Sequence, residues 1–200
     1  MPAGNHGHHA NAPHLFEGWG SRIYDRVARW PLRPLYARIA EDMADAAPDG
    51  GSVLDVGTGP GVLLAEIARR RPDLSLTGID LSADMAAAAQ GNLSRFGDRA
   101  RARVGDVTDL PFADDAFDTI VSSFSLHHWD HPEAAVPELA RVLRPGGRLY
   151  IYDARSAPFD TIVATARALA VLDGRPARRT LIGTGLPVPW RCARHVMSAP

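Results

Sequence analysis

Three aspartates in this chain stand where chemistry is done in α/β proteins. Asp55, Asp80 and Asp106 each fall at or near the end of a short apolar run, and Gly57-Thr-Gly-Pro-Gly61 follows the first of them. Glycines at alternate positions let the backbone turn sharply and lie against a bound molecule without a Cβ in the way. A glycine loop between a strand and a helix makes a nucleotide-type pocket at the carboxyl end of the strand. Acids at the neighbouring strand ends supply acceptors for hydroxyl or amine groups of the ligand. A histidine pair, His127 and His128, follows the fourth apolar run on the same side and offers a general base.

The elements that position these residues are legible in the hydrophobic pattern. Val53 to Val56 has the length of a strand buried on both faces. Pro60 suits a first helical turn, and Leu64, Ile67 and Ala68 continue one helical face. Further strands are expected at Leu74 to Ile79, Arg101 to Val104, Phe117 to Ser122 and Arg148 to Tyr152. Helices alternate with them, one capped by Ser82 and running to about Leu93, the next from about Pro132 to Leu143. Pro137 predicts a kink in the latter or a start delayed to near Ala135, and Arg144-Pro-Gly-Gly147 should stop it. Alternation of this kind gives a parallel sheet with right-handed crossovers and a ligand site at the carboxyl ends.

Composition bounds the function. The 200 residues are 46% hydrophobic and 22% charged with a net charge of −1, which fits one soluble domain and gives no general attraction to nucleic acid or anionic membranes. All the basic residues are arginine, so no lysine is available for catalysis. The single cysteine, Cys192, excludes an intrachain disulfide and suits a reducing compartment. No apolar run is long enough to span a membrane, and the first residues lack the pattern of a signal peptide, so a cytoplasmic location is expected. Residues 1–14, with His6, His8, His9 and His14, read as a disordered leader; a metal site there lacks accompanying Cys, Asp or Glu. Two helices, Leu15 to Trp30 and Leu35 to Ala47, are expected to form a lid over residues 15–50, ahead of a sheet domain at 51–200. Arg69-Arg-Arg71 reads as the cationic last turn of a helix rather than a nucleic-acid patch.

The glycine spacing leaves two ligands in play. A nicotinamide dinucleotide loop wants G-x-G-x-x-G, and Val62 stands where its third glycine should be. Asp80 serves either ligand, but Asp106, suited to an exocyclic adenine amine, has no place in the nicotinamide fingerprint. Taken together with Gly78-Ile-Asp-Leu-Ser82, Gly105-Asp-Val-Thr-Asp-Leu-Pro-Phe112, Phe117-Asp-Thr-Ile-Val121, Ser125-Leu-His-His-Trp129 and Arg141-Val-Leu-Arg-Pro-Gly-Gly147, the chain resembles the class I S-adenosylmethionine-dependent methyltransferases, in particular the small metal-independent enzymes acting on small molecules. The resemblance runs from Ser52 to Asp153.

It implies a Rossmann-like α/β fold: a mostly parallel sheet of seven strands, or a reduced one, with helices on both faces. It also implies that Asp55 and the loop residues Gly57, Thr58, Gly59 and Gly61 hold the methionine part of S-adenosylmethionine. Asp80 would take the ribose hydroxyls, Leu81 and Met85 would flank the adenine, and Asp106 with Val107 would bind its amine. Ser123 would lie near the sulfonium, and Tyr24 would cover the cofactor. No catalytic side chain is assigned beyond His128, preferred over His127 as a base; shaping of the loop by the pair is the plainer role. The expected partner is a small-molecule methyl acceptor, with no nucleic acid, membrane or metal. The alternatives are a non-catalytic binding or interaction protein of the same fold and an NAD(P)-dependent oxidoreductase. For the tail, a helix at Phe159 to Leu172 and strands at Arg179 to Ile182 and Arg191 to Met197 are expected, with Pro187 and Pro189 limiting the last 20 residues to a sheet edge.

Overall fold

The computed structural model describes residues 33–172, 180–183 and 191–200. The histidine-rich leader, the first expected helix and Tyr24 lie outside the described residues. Helix α1 (Arg33–Ala46) leads to strand β1 (Ser52–Val56), the glycine loop and helix α2 (Val62–Arg70). Strand β2 (Ser75–Asp80), helix α3 (Ala83–Leu93) and strand β3 (Ala100–Val104) follow, then strand β4 (Phe117–Ser123). The rest comprises helix α4 (Pro132–Val142), strand β5 (Leu143–Ala154), helix α5 (Phe159–Leu169) and strands β6 (Thr180–Gly183) and β7 (Arg191–Ser198).

The strands form one sheet in the order β3-β2-β1-β4-β5-β7-β6, parallel except for β7, which runs antiparallel to both β5 and β6. The chain moves outward from β1 to β3 and then returns to β4 on the other side. That reversal opens a crevice at the carboxyl ends of β1 and β4, where open α/β sheets bind ligands.

Alternation along the central strands splits the core. Leu54, Val56, Ile120, Leu149 and Ile151 face α4 and α5, whereas Val53, Val121, Tyr150 and Tyr152 face α1 and α2. Both faces are dry. Truncating one of these aliphatic side chains to alanine is worth about 2–5 kcal/mol. At the opposite end of the strands, Ser52 N–H and Oγ both donate to Asp118 Oδ2 at 2.8 Å, and Arg144 Nη1 joins them at 2.5 Å, tying β1, β4 and β5 together.

Three expectations are corrected. The second helix of the expected lid is a layer of the core: Leu35, Ile39 and Met43 are buried against the sheet and α2, and Arg71 donates to the carbonyls of Ala44 and Ala47. Its amphipathic stripe is wide enough to bury, and burial outweighs exposure at the sheet edge. Helix α4 starts at Pro132 and runs through Pro137. Pro132 occupies the first helical position, where a missing N–H is harmless, and Pro137 sits on the exposed face. The tail is more than an edge, because β7 lies between β5 and β6 with seven residues in register against β5, from Arg148↔Ser198 to Ala154↔Cys192. Pro187 and Pro189 lie outside the described residues. The helix stop expected at Arg144-Pro-Gly-Gly147 holds, since α4 ends at Val142, and the same segment opens β5, whose pairing with β4 shifts register between Phe117 and Thr119. Among the described residues no helix is long and apolar enough to cross a membrane.

Candidate active site

The glycine loop begins where β1 ends, and its backbone is in the left-handed region at all three glycines: φ is +71° at Gly57, +52° at Gly59 and +76° at Gly61. Side chains rarely adopt that region, so glycine is required here by conformation as well as by space. At Gly57 the second reason dominates. A Cβ there would fall 1.9 Å from Ser125 Oγ, so the loop lies directly against the turn that follows β4. Gly57 and Thr58 N–H both donate to the Ile79 carbonyl, which anchors the loop to the end of β2.

Asp55 is fully buried beneath this loop. Its Oδ2 accepts from Thr58 Oγ1 at 2.8 Å, and its Oδ1 is buried without a hydrogen-bond partner. Burial, opposed by the Thr58 hydrogen bond and reinforced by the charge of Asp80, pushes its carboxyl up to about 7. The Thr58 hydroxyl is thus spent inside the protein. It supports Asp55.

Asp80 closes β2 and grips the loop. Its Oδ2 accepts from Gly59 N–H at 2.8 Å and its Oδ1 from Ser82 N–H at 3.0 Å. Burial raises its carboxyl above the usual range against these two bonds. Each oxygen keeps a lone pair for a ligand hydroxyl. Next to it Leu81 is 74% exposed, an unusual position for leucine, while Met85 is buried in the first turn of α3, where Ser82 Oγ accepts from its N–H at 3.4 Å. Asp106 follows β3, which is drawn to β2 by the bond from Gly105 N–H to the Asp80 carbonyl. Asp106 is exposed; its Oδ1 accepts from the N–H and Oγ1 of Thr108, and Val107 packs against the core. Asp55, Asp80 and Asp106 therefore mark the ends of three adjacent strands, as the sequence pattern requires.

The opposite wall is the turn after β4. Ser123 is buried at the end of the strand, and Phe124, at φ +54°, swings the chain into a short 3₁₀ turn, Leu126–His128. A bulky side chain in that region is strained, and Phe124 N–H bonded to the Tyr152 carbonyl at 2.8 Å holds it there. The turn delivers His127 to Asp153: Nδ1 lies 2.7 Å from Oδ1, and the His127 N–H donates to Oδ2 at 3.2 Å. The ring of His128 packs on that of His127 with centroids 3.9 Å apart. Burial first and the neighbouring His127 second lower the tendency of His128 to protonate. His127 thus has its ring and its backbone N–H on the Asp153 carboxylate, while the charges of Asp153 and Asp80 also act on His128. Asp153 itself escaped the sequence reading. Its signal was the one that marked the other acids, an aspartate at the end of an apolar strand.

The arrangement fits S-adenosylmethionine. The orphaned, buried Asp55 oxygen suits a cation such as the methionine ammonium, the glycine loop admits close approach, and Asp80 and Leu81 offer an acceptor pair and an apolar platform beside it. Among the described residues no group of three or more His, Cys, Asp or Glu is arranged to hold a metal.

Comparison with known proteins agrees. Residues 54–151 match a methyltransferase domain family. The chain is 36% identical over 157 residues to a phosphatidylethanolamine N-methyltransferase of Cereibacter sphaeroides, covering 75% of both chains. It is 36% identical over 132 residues to a ubiquinone/menaquinone biosynthesis C-methyltransferase of Geotalea daltonii, covering 64% of this chain and 56% of that protein. The chain spans about half the length of such quinone-pathway relatives. In solved structures the fold is shared with a putative S-adenosylmethionine-dependent methyltransferase of Methanococcus maripaludis, at a TM-score of 0.73 and 22% identity over 95% of this chain and 96% of that one. With an acid at each of three strand ends around a left-handed glycine loop, and with a relative matched over three quarters of its length, the chain belongs to the class I S-adenosylmethionine-dependent methyltransferase family.

Proposed function

We propose that the protein transfers a methyl group from S-adenosylmethionine to a small organic acceptor in the cytoplasm. The observation that carries this reading is the ring of acceptors around the loop: Asp80 bonded to Gly59 N–H, Asp106 one strand further out, and the unpartnered Asp55 oxygen beneath. The methyl donor is consumed, so it is a substrate, and it arrives with its leaving group already activated as a sulfonium. The protein's share is alignment of nucleophile and methyl carbon and exclusion of water. Such positioning is worth about 7–11 kcal/mol.

In this reading Asp55 and the loop hold the amino-acid end, Asp80 the ribose hydroxyls, Leu81 and Met85 the adenine faces and Asp106 its amine. Ser123 and the turn after β4 face the reacting centre. The relatives named above act on a phospholipid headgroup amine and on a quinone ring according to their names, so the acceptor is taken to be a small molecule or headgroup. Calorimetry with S-adenosylmethionine and S-adenosylhomocysteine tests the donor site. Binding of both is expected, and heat from neither sinks the reading. Binding without transfer of labelled methyl to phenols, quinols, amines or fatty acids points instead to a non-catalytic member of the fold.

A further inference from the structure

Donor binding leaves the buried side chain of Asp153 unused. Asp153, the residue before the last of β5, has no solvent exposure and lies between Ala154, whose N–H it accepts at 2.6 Å, and the 3₁₀ turn after β4. Its two oxygens hold His127 by ring and by backbone, as described above, while the His127 side chain stays 38% exposed. In a neutral imidazole whose Nδ1 faces a carboxylate, Nδ1 carries the proton and Nε2 keeps its lone pair. The ring nitrogen not held by Asp153 is therefore the one left to act as a base. It stands on the turn that touches Gly57 through Ser125, and Trp129 Nε1–H bonded to Ser125 Oγ at 2.9 Å fixes the far end of that turn.

We propose that His127 is the general base for the acceptor, positioned by Asp153, and that the acceptor is a phenol or hydroquinone whose hydroxyl proton must leave. This rests on the methyltransferase reading and adds the substrate class to it. Nε2 takes the hydroxyl proton. The electron pair of the O–H bond becomes the new oxygen–methyl bond, and the pair of the breaking carbon–sulfur bond stays on sulfur. One positive charge leaves the sulfonium and reappears on the imidazolium, where the Asp153 carboxylate balances it. The charged or titratable groups around the ring are Asp153 from β5, His128 from the same turn, and Asp80 from β2, whose charge acts on His128; Cys192 on β7, opposite Ala154, is buried and held as a thiol.

The test compares wild type with His127→Gln and Asp153→Asn in the full chain. In the free protein labelled with nitrogen-15 histidine, a slowly exchanging Nδ1–H signal is expected for His127 and is lost in Asp153→Asn. S-adenosylhomocysteine should bind His127→Gln within about twofold of wild type; absence of binding to wild type means that the broader reading has failed, not this one. Turnover of the probe 1,4-naphthohydroquinone should fall about 10²- to 10⁴-fold in His127→Gln and lose its decline toward low pH. A protonated Nε2 in wild type overturns the proposal. So does naphthohydroquinone turnover in His127→Gln within threefold of wild type with the acid limb retained, or wild-type turnover of a primary amine probe alone. If product binds and neither probe is methylated, the tautomer decides. If Asp153→Asn does not fold, the half-exposed His127→Gln carries the turnover test and the wild-type spectrum the tautomer.

Discussion

Replacing Asp55 by asparagine should make the free protein more stable at pH 8 relative to wild type than at pH 5. In the folded protein burial raises this carboxyl from 3.8 to about 7. Between those values the native state keeps a proton that the unfolded chain has released, so unfolding free energy falls as pH rises, by up to about 1.4 kcal/mol per unit. The loss is complete above pH 7 and amounts to about 4 kcal/mol. Asparagine retains an oxygen for Thr58 Oγ1, which bonds Asp55 at 2.8 Å, and it has no charge to desolvate. Titrating groups that do not interact with Asp55 are common to both proteins and cancel in the difference; Asp80, whose charge acts on Asp55, adds a smaller change of the same origin. Urea unfolding of wild type and Asp55→Asn from pH 4.5 to 8.5 therefore has a specific expected form: the difference in stability rises in favour of the variant up to about pH 7 and then levels. Parallel curves across the range would refute the account of Asp55 as a buried acid left without a counter-charge. The same variant should bind S-adenosylhomocysteine more weakly at pH 8, because the anion that would meet the ligand's ammonium is gone.

Two other substitutions probe the site. Asp106→Ala should weaken S-adenosylhomocysteine binding about three- to tenfold, the worth of one hydrogen bond at a partly hydrated site, while leaving thermal stability nearly unchanged. Calorimetry reads the first and a melting curve the second, and unaltered affinity would favour a ligand without an adenine amine contact. Gly57→Ala should destabilise the fold by about 2 kcal/mol or more, since the Cβ meets Ser125 Oγ and the φ of +71° is strained for alanine. Adding Ser125→Gly should recover part of that loss in a denaturation experiment, and full recovery would mean that backbone strain at residue 57 is negligible.

Sequence carried the parallel half of the sheet well because each β–α unit there is local: an apolar run, a turn and an amphipathic helix within about thirty residues. Asp55, Asp80 and Asp106 were legible for the same reason, since strand end and acid are neighbours in the chain. What escaped depends on pairing at a distance. The choice between His127 and His128 turns on which ring meets Asp153, and that is settled by the register of β5 on β4, with Ser123 opposite Tyr152. The inward turn of the Thr58 hydroxyl depends on burial of Asp55, which no local pattern shows. Placement of β7 inside the sheet likewise rests on its match with β5, seven residue pairs that carry no motif. The apolar stripe of helix α1 does not say which surface receives it; Asp42, bonded to Tyr152 Oη and to Arg194 Nη1, shows it sealed to β5 and β7.

The contact between Gly57 and Ser125 has a thermodynamic meaning. The loop assigned to the methyl donor and the turn assigned to the acceptor share an interface with no room for a single methyl group, so neither can shift without the other. A ligand that stiffens the first lowers the entropy still to be lost when a ligand settles on the second. Reciprocity then requires each to tighten the other's binding by the same factor. Ordered or synergistic binding of the two substrates would thus be inherited from packing between two backbone segments, with no dedicated gate between them.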